Sequence, residues 1–192
     1  MHTSVATRTR RRTLVAVCTL LLLSSVGFVG AAPSAGAAPY CGITWGSLAK
    51  SDAAMSGASV VNARAGRHDC FDRFVIDIDA GPSSGYFVRY VPVVTEDGSG
   101  DPVPLRGGAF IQVTAHVNAH DDAGNPTYNP PNDMEAVNVS GYSTFRQVAF
   151  VSDFEGYTTF GLGVRARLPF RVFRLAGPGS GQRLVIDVAH RW

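Results

Sequence analysis

Phe71-Asp-Arg-Phe-Val-Ile-Asp-Ile-Asp79 is the stretch that decides the fold. Arg73, Val75, Asp77 and Asp79 alternate with Phe74, Ile76 and Ile78. Side chains of a strand point to opposite faces in turn, so this period of two describes a strand with one apolar face and one charged face. The run ends in Gly81-Pro-Ser-Ser-Gly85, whose residue types favour a turn.

Working outward, a short strand starts at Val60-Val61 and stops before Gly66. Downstream, Tyr86 to Val94 is rich in aromatic and β-branched residues, and Glu96 to Pro104 reads as a loop. From Ala109 to Val117, Phe110, Gln112, Thr114 and His116 face one way and Ile111, Val113 and Ala115 the other. His120 to Glu135 holds Asp121-Asp122, Gly124-Asn125-Pro126 and Asn129-Pro-Pro-Asn132, a composition that does not sustain a ladder. Four more strands are expected at Arg146 to Ser152, Tyr157 to Arg165, Leu168 to Leu175 and Arg183 to Ala189. A short helix is expected around Ser47–Ala54. About eight short strands separated by turn signals predict an all-β fold, an antiparallel β-sandwich or partly open barrel. One echo stands out: Arg73-Phe-Val-Ile-Asp77 is matched by Arg183-Leu-Val-Ile-Asp187. Each puts a base and an acid four apart on one face of a strand. Solvated charges on one sheet are the simplest reading of both.

The N-terminus carries Arg8, Arg10, Arg11 and Arg12, then an apolar run from Leu14 to Val29, then Ala35-Gly36-Ala37. A basic start, a short apolar core and an A-x-A site predict a secretory signal peptide over 1–37, leaving a domain over 38–192. The whole chain has 17 basic and 15 acidic residues. The leader takes four of the bases and none of the acids, so the remainder carries −2 rather than the chain's +2. That balance gives no support for nucleic-acid binding. Removing the leader also removes Cys18 and leaves Cys41 and Cys70. In an oxidising compartment a disulfide between them is expected.

Nothing in the sequence assembles a catalytic motif. No G-x-S-x-G elbow is present, and Gly179-Ser180-Gly181 lacks a strand–helix frame. His116-x-x-x-His120-Asp121-Asp122 is the densest set of ligand types, but its first histidine falls on a strand and its second in a loop. A non-enzyme with no metal and no cofactor is expected. The charge is divided, however: from Phe154 onward there are six bases and two acids, against seven and 13 in 38–153. Tyr157, Phe160, Phe170, Phe173 and Trp192 stand among Arg165, Arg167, Arg171, Arg174, Arg183 and Arg191. Aromatic faces bind sugar rings, and guanidinium forks bind carboxylates and phosphates. Arg165 and Arg167 are expected on one strand face, opposite Val164 and Leu168. Arg165, Arg167, Arg171, Tyr157 and Arg183 are therefore the candidate binding residues. The competing reading has the aromatics in the core and the arginines in solvent.

The chain resembles the AMIN-like domain family of secreted actinobacterial proteins. The resemblance runs through Cys41-x-x-x-Trp45-Gly46-Ser47, Gly66-Arg-His-Asp-Cys-Phe-Asp-Arg73 and Gly85-Tyr-x-Val-x-Tyr-Val91. It continues through Phe154-Glu-Gly-x-Thr-Thr-Phe-Gly-Leu-Gly-Val-Arg165 and Pro169-Phe-Arg-Val-Phe173, and closes on Arg183-Leu-Val-Ile-Asp-Val188. The AMIN domains that lend the family its name are β-sandwich modules of envelope proteins, linked to peptidoglycan binding and to placing amidases or secretins. The resemblance thus implies a non-catalytic envelope module with peptidoglycan or an anionic wall polymer as partner. An extracellular protein-interaction or protease-inhibitor-like module is the alternative, with the 120–135 loop as its contact surface. Either way the expected location is extracellular or wall-associated, without nucleic acid and without a membrane anchor after cleavage.

Overall fold

A computed structural model describes residues 39–177 and 179–192. The leader expected at 1–37 lies outside the described residues. Eleven strands follow one another: β1 (Lys50–Asp52), β2 (Val60–Arg67), β3 (Phe71–Ile78), β4 (Tyr86–Val91), β5 (Val94–Thr95), β6 (Pro102–Val103), β7 (Ala109–Ala115), β8 (Phe145–Phe154), β9 (Tyr157–Val164), β10 (Phe170–Ala176) and β11 (Gln182–Ala189). They form a five-stranded sheet in the order β1-β4-β7-β9-β8, a four-stranded sheet in the order β10-β11-β3-β2, and the hairpin β5-β6. All strand pairs are antiparallel. The two large sheets stay separate, so the fold is an all-β sandwich and not a closed barrel.

The alternation read from β3 sets the layers. Phe74, Ile76 and Ile78 are buried with Leu184, Ile186 and Val188 of the neighbouring β11. Facing them from the other sheet are Val88, Ile111, Val113, Phe160 and Leu162. Phe74 and Phe160 meet edge-on across the interface, ring centres 5.3 Å apart. Burying each such side chain is worth about 1.5–3 kcal/mol.

Three expectations are corrected. Ser47–Ala54 holds no helix; Lys50–Asp52 pairs as β1 with Tyr86–Val88 of β4, so tertiary hydrogen bonding overrides a weak local preference. Tyr86–Val94 is not one strand, because the chain leaves the ladder after Val91 and turns back as β5-β6. That excursion covers the outside of the five-stranded sheet: Val94 is buried, and a Cβ on Gly161 would fall 2.8 Å from Leu105. Gln112, opposite Gly161 in register, is buried as a result. Finally, Arg165 and Arg167 do not share a strand face, because β9 ends at Val164 and β10 begins at Phe170. Both arginines sit in the connection between the two strands.

Two links tie the ends of the fold together. Cys41 and Cys70 form the expected disulfide. The carboxylate of Asp72, fully buried, accepts the backbone N–H of Thr144 at 2.5 Å and of Phe145 at 3.1 Å, and bonds His190 Nε2 at 3.2 Å. His190 is thus a structural partner that anchors the last residues to β3.

Several surface carboxylates are held as anions by their partners. The Ala54 N–H and Arg174 lower the pKa of Asp52, the Asn125 side chain lowers that of Asp121, and Arg106 lowers that of Glu135. A group with a depressed folded-state pKa adds stability above its unfolded value, near 4, and loses it as pH falls through the folded value. Thermal unfolding followed across pH should therefore show these groups contributing fully from neutrality to about pH 5 and withdrawing their support below about pH 4. Retention of the full melting temperature at about pH 2 would contradict this assignment.

Candidate functional site

The paired Arg-x-x-x-Asp strands explain one another. β3 and β11 run antiparallel with Asp187 opposite Arg73 and Arg183 opposite Asp77. On the far side of β11, Arg171 of β10 also lies opposite Asp187. One row across the outer face of the four-stranded sheet is therefore Arg171, Asp187, Arg73. Asp187 is 0% exposed, whereas the arginines are 32% and 23% exposed. Arg73 donates to both carboxylate oxygens, at 2.6 and 2.9 Å, and Arg171 Nε donates at 2.8 Å. Two cations share one buried anion, which leaves the row with one net positive charge.

Aromatic rings frame this row. Arg171 stacks on Phe173 at 4.9 Å, Phe71 at 5.4 Å and Trp45 at 5.6 Å. Arg73 stacks on Phe71 at 5.2 Å and Phe173 at 5.4 Å. His68 lies flat against Phe71, ring centres 4.5 Å apart. Trp45 reaches the row from the N-terminal segment, which the Cys41–Cys70 bridge and a Gly46–Phe170 backbone bridge hold in place. Stacking and the shared carboxylate restrict both guanidinium planes, so their outward N–H edges are presented already ordered.

The other end of the echo behaves differently. Asp77 is taken by Arg64, at 2.8 and 2.9 Å, and by Asn62 at 3.0 Å. Arg183, opposite it in register, instead donates to the Ala176 carbonyl at 2.5 Å. With Arg64, Arg73, Arg171 and Arg183 against Asp77 and Asp187, the outer face is net basic.

Of the residues singled out from the sequence, Arg171 and Arg183 share this face. Arg165 lies in the β9–β10 connection, bonded to the His190 carbonyl, and Arg167 stacks on Tyr90 at 4.6 Å. Tyr157 begins β9 while Arg165 follows its last residue, so they sit at opposite ends of that strand. Phe160 and Phe170 are core; Phe173 faces outward with the arginines. Arg73, Phe71, Trp45 and Asp187 complete this face and are not among the binding residues expected from the sequence. The signal for Arg73 and Asp187 was the echo itself, since two such strands paired antiparallel bring each base to the other strand's acid. His116 and His120 are engaged separately, the first with the Ala54 carbonyl at 3.1 Å, the second with Asp153 at 2.6 Å. Among the described residues no three His, Cys, Asp or Glu side chains are grouped to hold a metal, and no helix is long and apolar enough to cross a membrane.

The sequence profile of the AMIN-like domain matches residues 58–190, from just before β2 to just after β11. Arg73, Arg171, Asp187, Phe71 and Phe173 lie inside the match, while Cys41 and Trp45 precede it. No curated protein and no solved structure matches the chain.

Proposed function

Because the chain belongs to the AMIN-like domain family, we propose that it is a secreted, non-catalytic cell-envelope module that binds an anionic group of peptidoglycan or of a wall polymer through the outer face of its four-stranded sheet. The observation that carries this reading is the row Arg171–Asp187–Arg73 beneath Phe71, Phe173 and Trp45. Ordered guanidinium edges suit a carboxylate or phosphate, and the flanking rings suit the C–H surface of a sugar or a small peptide side chain. Tyr157, at the far end of the other sheet, is left out of this surface.

Sedimentation with purified cell walls tests the reading. Binding at low ionic strength should be largely lost near 1 M salt, where the screening length falls to about 3 Å. The double variant Arg171→Gln/Phe173→Ala should weaken binding by at least about tenfold, as expected for losing one charge-assisted bond and one stacking face. Tyr157→Ala should bind as the parent does. Absence of wall binding at every salt concentration, or equal binding by the double variant, would overturn the proposal.

A further inference from the structure

The opposite sheet carries a second concavity with different chemistry. Its edge strand β8 and the 119–132 loop border an open hollow of about 400 Å³, lined by His120, Gly124, Pro126, Tyr128, Phe150 and Asp153 among others. That size falls within the range of small-molecule sites, about 300–1,000 Å³.

The wall formed by the loop is built in advance of any ligand. Asp121 accepts the N–H of Ala123 at 2.9 Å and of Asn125 at 2.8 Å, and Gly124 takes the positive φ of 82° that this tight turn requires. Thr127 N–H bonds the Ala119 carbonyl at 2.8 Å, and its hydroxyl bonds the Val60 carbonyl at 2.7 Å. Ser59 Oγ bonds the His120 carbonyl at 2.8 Å. A ligand entering here does not have to order the loop.

Three polar groups meet at this cavity. His120 Nδ1 lies 2.6 Å from Asp153 Oδ2. A carboxylate accepts, so Nδ1 carries a proton, and in the neutral tautomer that this bond selects Nε2 is an acceptor. The other carboxylate oxygen, Asp153 Oδ1, and the Tyr128 hydroxyl are buried and have no hydrogen-bond partner among the described residues. Buried polar groups left unpaired are rare in folded proteins, because each forfeits its hydration without a replacement. Burial, reinforced by Asp133, pushes the Tyr128 pKa up to about 12, so its hydroxyl keeps its proton and can donate. Beside these groups, the Tyr128 and Phe150 rings pack edge-on at 5.5 Å and present apolar surface. The charge is the reverse of the arginine face: Asp153 lies in the cavity, with Asp121 and Asp133 on the flanking loop. Phosphates and carboxylates are disfavoured there.

We propose that this cavity is a second ligand site, for an uncharged polyhydroxylated ring about the size of one pyranose, whose hydroxyls donate to Asp153 and His120 and accept from Tyr128 while a C–H face rests on the aromatic rings. The site is separate from the arginine row and stands or falls independently of it.

A ¹H–¹⁵N NMR titration of the protein with glucose, N-acetylglucosamine, n-propylammonium and inorganic phosphate decides the matter. A saturable response to at least one of the two sugars is expected at the amides of His120, Tyr128 and Asp153, with none to phosphate. Tyr128→Phe, which keeps the ring and removes only the hydroxyl, should weaken sugar binding by about tenfold. Asp153→Asn should weaken it at least as much, and Arg171→Gln should leave it unchanged. If Asp153→Asn does not fold, Tyr128→Phe decides alone. No saturable response to either sugar, a response confined to n-propylammonium, or unaltered sugar binding by Tyr128→Phe would each overturn the proposal.

Discussion

Asp187→Ala is expected to cost about 3–5 kcal/mol of folding stability, the range for removing one partner from a buried charge cluster. The carboxylate is 0% exposed, and both its oxygens accept from arginines on the neighbouring strands. Without it, Arg73 and Arg171 would face one another across β11 with no anion between them. Like charges would then repel in a partly desolvated setting, and the aromatic stacking would have to give way to rehydrate them. Denaturant unfolding with unchanged slope and a lowered midpoint is the expected readout. Asp187→Asn keeps the shape and one acceptor oxygen, and should fall between the parent and the alanine variant. The decisive companion is Arg73→Met/Arg171→Met/Asp187→Leu. Replacing a whole buried charge cluster by apolar groups is often neutral or stabilising, so this variant should regain most of the lost stability. If the row serves binding, the stable triple variant should still fail to sediment with cell walls. Full wall binding by a stable triple variant would mean that the row is structural only.

How much of this surface could be read in advance depends on which interactions are local. The period of two in β3 assigned Phe74, Ile76 and Ile78 to the core and Arg73 and Asp77 to the outside, and the burial agrees. The Arg-x-x-x-Asp echo was legible because it lies within five residues of each strand. The pairing that turns the echo into a site was not, since Arg73 and Asp187 are 114 residues apart and periodicity specifies faces, not neighbours. Val164 and Leu168 opposite Arg165 and Arg167 predict a strand through that segment. The ladder stops at Val164, where the Thr144 carbonyl accepts the Arg165 N–H instead. Likewise the loop expected over 96–104 conceals β6, and the chain leaving the β5-β6 hairpin covers Gly161 with Leu105 and Gly163 with Arg106. A Cβ on Gly163 would lie 1.9 Å from the Arg106 carbonyl oxygen, so the glycines of Phe160-Gly-Leu-Gly-Val164 are required by an overlying chain that no local pattern announces. Asp153 and His120 present the same difficulty: across their sequence separation of 33 nothing signals their contact.

Cys41→Ser/Cys70→Ser should lower the unfolding free energy by about 3–4 kcal/mol. The bridge spans a sequence separation of 29 residues, and the chain-entropy relation for a loop of that length gives this magnitude. The native-state consequence is more specific. The bridge fastens Cys41 beside Phe71, and the short run from Tyr40 to Gly46 carries Trp45 onto Phe71 with ring centres 5.9 Å apart. Within that run, Trp45 Nε1 donates to the Tyr40 carbonyl at 2.9 Å, so the indole is oriented by the segment that the bridge anchors. Without the disulfide, the main backbone attachments are the Phe170 N–H bond to the Gly46 carbonyl at 2.8 Å and β1 against β4. Both lie C-terminal to Trp45, and on its N-terminal side Arg191 packs on the Tyr40 ring at 4.6 Å, a weaker hold than a covalent bridge. The double serine variant should therefore remain folded under mild conditions while losing the order of Trp45. Its wall binding should fall to the level of Trp45→Ala, and adding Trp45→Ala to it should cause no further loss. Such non-additivity is the signature of two changes acting on one element. An unchanged midpoint would show that the bridge contributes nothing to stability. Unchanged wall binding by the folded serine variant, with a clear loss in Trp45→Ala, would show that Gly46 and β1 suffice to hold the indole over Arg171.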